Sequence, residues 1–221
     1  MDYGQLLFGN CIVATTRFTN FRYEYITLWK MKNKWKGCVY PVKNKIKECI
    51  ADNIDIYVIE MNNDENKIIG IGKINNIIKK RKKVYDGNEL ERNNQYLYKS
   101  KYFISREDIL KKEENKELIK YLETLLFTGY NHVKQLKGIT CLHPDRIAYD
   151  TPIKKRVITC SICGLKKKGH KCPGKRIADK RDNTKCELCG KRRKGHICKA
   201  LPKNNERLKK ITLFFNSLFV K

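Results

Sequence analysis

Apolar residues in the first two thirds of the chain fall in short runs bounded by polar turn residues: Cys11 to Ala14, Tyr23 to Trp29, Gly37 to Val42, Asp55 to Met61, Ile68 to Ile74 and Tyr96 to Ile104. Their length and their Ile, Val and Tyr content predict strands. The stretch IYVIEMNNDENKIIGIGKI predicts a hairpin around an Asn/Asp-rich turn, with Gly70 and Gly72 marking a bulge or a close backbone approach. The period then lengthens. Ser105 with Asp108 has the capping-box form, and Leu118, Ile119, Leu122, Leu125 and Leu126 recur at helical spacing until Gly129. Leu136 to His143 predicts one more strand. Several short strands with one or two helices predict an α+β fold, either a small curved sheet or a partly closed β-barrel with a packed helix.

The pattern changes after about residue 150. Large apolar side chains are scarce until Leu208, so this part has no hydrophobic core of its own and must be held by something else. Beyond it, Asn204 or Asn205 caps a last predicted helix with Leu208, Ile211, Phe215, Leu218 and Phe219 on one face. That face either docks on the preceding domain or serves a protein partner or self-association. The organisation read from the pattern is an α+β domain over 1–150, a core-poor segment over 151–201 and an amphipathic helix over 202–221.

Composition sharpens this division. Lys and Arg number 49 against 23 Asp and Glu in 221 residues, a formal net charge of +26. Most of the excess lies after residue 150, and polyanions are the natural partners of such a chain. No apolar run approaches the roughly 20 residues of a membrane span, and MDYGQLLFGNCIVATTRF lacks the charged start and long apolar core of a secretion signal. The expectation is a soluble intracellular protein of the cytoplasm or nucleus. Ten cysteines do not suggest a disulfide framework, because six of them crowd into the core-poor segment at metal-ligand spacing.

That segment contains the same unit twice, CSICGLKKKGHKC over 160–172 and CELCGKRRKGHIC over 186–198. Each potential ligand returns 26 positions later: Cys160 and Cys186, Cys163 and Cys189, His170 and His196, Cys172 and Cys198. The form C-x2-C-x6-H-x-C supplies three thiolates and one imidazole, a closed tetrahedral set that suits structural Zn2+ and leaves no open position for catalysis. Gly164 and Gly190, directly after the second Cys, allow the positive φ that turns backbone N–H groups toward the thiolates. Gly169 and Gly195 let each loop bend back. With almost no apolar side chains, each unit takes nearly all its folding free energy from the metal, on the order of 10 kcal/mol. Two zinc ions are expected.

The loops between ligands carry Lys166, Lys167 and Lys168 in the first unit and Lys191, Arg192, Arg193 and Lys194 in the second, and Lys171, Lys175 and Arg176 extend the stripe. Cations repeated on two metal-held turns predict contact with nucleic-acid phosphates, RNA or DNA, with affinity from counterion release and little sequence information. In the first domain, Lys80, Arg81 and Lys82 form the centre of a cationic run after a predicted strand. Tyr96, Tyr98, Lys99, Lys101 and Tyr102 interleave rings with charge.

The two units resemble zinc knuckles, the small C2HC modules of nucleocapsid and RNA-handling proteins, in ligand type and size. The usual knuckle spacing is C-x2-C-x4-H-x4-C, so this chain departs from it with x6 before His and one residue after. Neither unit contains an aromatic residue, so the family's habit of stacking bases on rings does not transfer. The stretches IYVIEMNNDENKIIGIGKI, YLYKSKYFISREDI and LLFTGYNHVKQLKGIT resemble proteins of giant DNA viruses, a resemblance that implies a viral factory or virion setting and supplies no activity. The strand order loosely resembles PUA-like barrels of the EVE and ASCH groups, which implies binding of RNA or a modified base.

Other features read more plainly. Trp29 and Trp35 are expected in the core, and Cys11, Cys38, Cys49 and Cys141 as buried thiols. Asp55 with Glu65-x-Lys67 faintly imitates a metal-dependent nuclease, but Glu65 falls in the predicted turn. The chain has no phosphate-cradling glycine loop and no Ser/His/Asp set, so no enzyme is expected. The expected function is zinc-dependent nucleic-acid binding, regulatory or architectural. The alternative is a protein–protein adaptor that uses the zinc units and the last helix.

Overall fold

The computed structural model describes residues 7–79, 84, 94–128, 132–136, 138–148, 160 and 205–219. Its elements are β1 (Leu7–Phe8), β2 (Cys11–Phe18), α1 (Asn20–Lys32), β3 (Cys38–Val42), β4 (Asp55–Asn62), β5 (Lys67–Ile74), β6 (Tyr96–Ser100), β7 (Tyr102–Ser105), α2 (Arg106–Leu110), α3 (Glu113–Phe127), β8 (Thr140–Cys141), α4 (Pro144–Ala148) and α5 (Asn205–Ser217). The fold is α+β, with a mixed main sheet in the order β1-β2-β4-β5-β7 and a second sheet of β3 and β6.

The barrel expected as one form of the fold is not closed. β2 and β4 pair in parallel, in register from Cys11 with Asp55 to Phe18 with Asn62, and a parallel pair needs a crossover. That crossover is α1 and β3, which leaves β3 off the main sheet. β6 and β7 are one run bent at Lys101: β6 pairs with β3, and β7 pairs with β5. The run thus leaves one sheet for the other and ends the main sheet at β7, while β1 and β8 share the opposite edge along β2.

Tyr23 to Trp29, read above as a strand, is the middle of α1. Aromatic and β-branched residues favour strands only weakly, and local capping overrides them here. Thr19 Oγ1 accepts from the Arg22 N–H at 3.3 Å, and the Asn20 N–H donates to Asp64 Oδ2 at 2.8 Å. The strand expected over Leu136 to His143 shrinks to Thr140–Cys141. Ser105 does cap a helix, its Oγ accepting from the Asp108 N–H at 3.2 Å, but the helical stretch breaks after Leu110 and restarts at Glu113.

Both faces of the main sheet are covered, so β2 and β4 are buried almost throughout and read as continuous apolar runs. Alternate residues sort into two clusters. Val13, Tyr57, Ile59, Met61 and Ile71 face α3 and α5, where Ile119, Leu122, Leu126, Ile211 and Phe215 are buried. Ile12, Ala14, Ile56 and Val58 face α1 and the β3/β6 sheet, meeting Ile26, Val39, Tyr40 and Tyr98. Arg106 ties α2 to α3 and the sheet: its guanidinium pairs with Glu123 and donates to the Ile68 carbonyl at 2.9 Å, while the Ile68 N–H donates to Glu123 Oε1 at 2.9 Å. α4 runs beside α5. Among the described residues, no helix is long and apolar enough to cross a membrane.

Candidate nucleic-acid interface

The expected zinc ligands other than Cys160, and all the expected phosphate-binding cations from Lys80 to Lys194, lie outside the described residues. Cys160 is half-buried. Among the described residues, no group of three or more His, Cys, Asp and Glu side chains is placed to hold a metal. Within the described residues, the candidate surface left by these expectations is the β6–β7 run, where rings and charge interleave.

A bend at Lys101 makes this surface. Gly37 permits it: a Cβ there would lie 2.0 Å from the Ser100 carbonyl oxygen. On the β6 side, Lys99 Nζ stands 3.6 Å from the centre of the Trp35 ring and 5.5 Å from that of Trp29. Trp35 is fixed in turn by its Nε1–H, which donates to the Cys38 carbonyl at 3.2 Å. On the β7 side, Lys30 Nζ lies 4.2 Å from the Phe103 ring, and Lys73 and Lys101 lie 4.7 and 5.3 Å from the Tyr102 ring. Each such contact contributes about 0.5–1 kcal/mol at an exposed site. Their chemical effect is to hold ammonium groups in place along a sheet edge, where anionic oxygens can meet them without first ordering long side chains.

The rings divide between this surface and the core. Tyr98 is fully buried, its oxygen accepting from the Ile46 N–H at 3.0 Å, so it is not available to a strand. Tyr96 is half-buried beneath Lys45, and both Trp side chains are half-buried rather than enclosed. Of the thiols expected to be buried, Cys11 and Cys38 are, Cys141 is half-buried and Cys49 is exposed. Burial above all pushes Cys11 and Cys141 to about 11 and Cys38 to about 12, so all three stay protonated and poorly nucleophilic. Asp55 and Glu65 sit at opposite ends of the β4–β5 hairpin, and Asp55 pairs instead with Lys73 at 3.2 Å.

A polar cluster under α1 has no counterpart in the expectations. Glu60, 2 % exposed, accepts from the Tyr40 hydroxyl at 2.9 Å. Burial raises its carboxyl above the ordinary glutamate range, against the opposing pull of Lys30 and of that hydrogen bond. Gly72 leaves the room: a Cβ there would lie 2.1 Å from the Tyr40 oxygen and 2.8 Å from Cys38 Sγ. The signal was present in the strand period, which puts Glu60 on the same inward face as Ile56 and Val58.

Comparison with protein-family models, curated proteins and solved structures returns no match.

Proposed function

We propose that this chain binds nucleic acid mainly through phosphates, in a regulatory or architectural role, with two structural zinc ions holding the basic turns of 160–172 and 186–198. The observation that carries the reading is the repeat itself, in which a closed Cys3His ligand set and a cationic turn recur together. The ammonium groups held over rings along β6 and β7 support it, since they offer a second basic surface on the folded domain.

The test is a titration of zinc-loaded protein against matched single- and double-stranded RNA and DNA at two salt concentrations, with chelated protein alongside. Binding is expected to weaken with salt and with chelation. Neutralising Lys166 to Lys168 and Arg192 to Lys194 should lower the salt slope by about 0.9 per lost contact on duplex DNA, or about 0.7 on single strands. Binding that is absent, or indifferent to chelation, overturns the reading.

The adaptor reading has one specific observation in its favour. Phe21, Leu28 and Met31 on the solvent side of α1 are 58, 55 and 70 % exposed. α5 buries Ile211, Phe214 and Phe215 in the core and leaves Leu213 exposed, so the larger exposed apolar set for an adaptor is on α1. Salt-resistant protein binding without nucleic-acid affinity would favour it.

A further inference from the structure

A cleft of about 290 Å3 opens where the start of β4 and the end of β5 meet the last turn of α5 and the residues after it. It is about the size of one heterocycle with its sugar and too small for most drug-sized ligands. Its walls carry Asp55, Lys73 and the carboxamides of Asn10 and Asn216, with the rings of Tyr57 and Phe219 as the apolar part. The two rings are stacked, with centroids 6.0 Å apart and planes 23° from parallel. Lys73 Nζ lies 5.9 Å from the Phe219 ring centre. The carboxylate is held from both sides: Lys73 Nζ meets Asp55 Oδ2 at 3.2 Å, and Asn75 Nδ2 donates to Asp55 Oδ1 at 3.4 Å. Burial, reinforced by Cys11 and Asp55, pushes Tyr57 to about 12, so its hydroxyl keeps its proton.

We infer that this cleft binds a single unpaired guanine base, either in a nucleic-acid strand or in a free nucleotide. The inference goes beyond phosphate binding, which positions a strand but does not read it. A fixed carboxylate accepts hydrogen bonds and donates none. Guanine alone among the four bases of RNA presents two adjacent donors, N1–H and the N2 amino group, to such an acceptor. Its O6 and N7 are acceptors suited to the Lys73 ammonium and the Asn10 and Asn216 carboxamides. Adenine and cytosine each set a ring-nitrogen acceptor beside their amino donor, and uracil flanks one donor with two carbonyls. Each would bring a lone pair against Asp55, so the carboxylate both attracts guanine and repels the others. The half-buried Phe219 ring, stacked on Tyr57, adds aromatic surface to the cleft wall, as single-strand binders use aromatic side chains.

The test uses the full zinc-loaded chain with the four ribonucleoside 5′-monophosphates, then with single-stranded oligonucleotides carrying one guanine, one inosine or none. The guanine nucleotide is expected to bind about tenfold tighter than the others. Asn216→Ala and Asp55→Asn should remove that preference, and Asn216→Ala should leave the salt dependence of binding to the guanine-free strand unchanged. Thermal melts confirm that both variants fold; if Asp55→Asn does not, Asn216→Ala alone decides. Preference for the mononucleotide but not for the guanine strand over the inosine strand assigns the cleft to free nucleotides; preference in both assigns it to strands. Equal affinity for all four nucleotides together with equal affinity for the guanine and inosine strands overturns the inference. Chelation separates the two claims: loss of strand binding on chelation bears on the zinc units, and base preference in the mononucleotide bears on the cleft.

Discussion

On the α3/α5 side of the main sheet, Ile119, Leu122, Leu126, Ile211 and Phe215 meet Val13, Ile59 and Ile71. On the α1/β3/β6 side, the apolar contacts enclose Glu60, Tyr40, Cys38 and Tyr98, each tied to a neighbour by a hydrogen bond. The first side rests chiefly on area, roughly 25 cal/mol per Å2 of apolar surface, with the Arg106–Glu123 pair at its margin, and tolerates most fillings of the right volume. The second has more at stake, because removing one partner leaves the other desolvated and unpaired. A sheet of this kind is held on one side and specified on the other.

Phe215→Ala gives the largest expected effect. It removes a fully buried ring that contacts Tyr57 and Phe214, and denaturant unfolding should show a loss of about 3–5 kcal/mol. A loss below about 1 kcal/mol would mean that α5 is not part of the core. Gly72→Ala probes the other side by adding one methyl group where Tyr40 and Cys38 already crowd the backbone. Overpacking of this kind costs about 1–3 kcal/mol, read from the same unfolding curves. A neutral result would show that the Tyr40 side chain can swing away and that the polar cluster is loosely held.

Glu60→Gln gives the smallest effect and the most specific one. A carboxyl raised by burial favours the folded state below the ordinary glutamate range, and that contribution is lost as pH rises from there through its folded value. Gln keeps an oxygen to accept from Tyr40 and has no proton to lose. The variant should therefore gain on the wild-type chain as pH rises above the ordinary glutamate value in a series of thermal melts. A difference that stays constant as pH rises would mean Glu60 titrates alike in the folded and unfolded chain.

What was legible in the sequence follows the same divide. The β4–β5 hairpin was readable because its period, its turn and its glycines agree, and Gly70 and Gly72 do mark close approaches, to Phe103 and Tyr40. The Ser105 cap was readable because its chemistry is local. α1 was misread because Tyr23, Tyr25, Ile26, Thr27 and Trp29 have strand-like chemistry, while the helix is set by Thr19 and by Asp64 across the hairpin. The cleft could not be read at all. Asn10, Asp55, Lys73 and Asn216 meet only through the parallel pairing of β2 with β4 and the return of α5, and no sequence period encodes either.

The return of α5 has a mechanical consequence. α4 and α5 lie side by side, and the covalent link between them is the segment 149–204. One peptide-bond cut inside that segment would turn the seating of Ile211, Phe214 and Phe215 from an intramolecular event into the association of two separate chains. The helix would lose the effective concentration that covalent connection provides. A protease acting on the basic segment would thereby loosen the core and open one wall of the cleft.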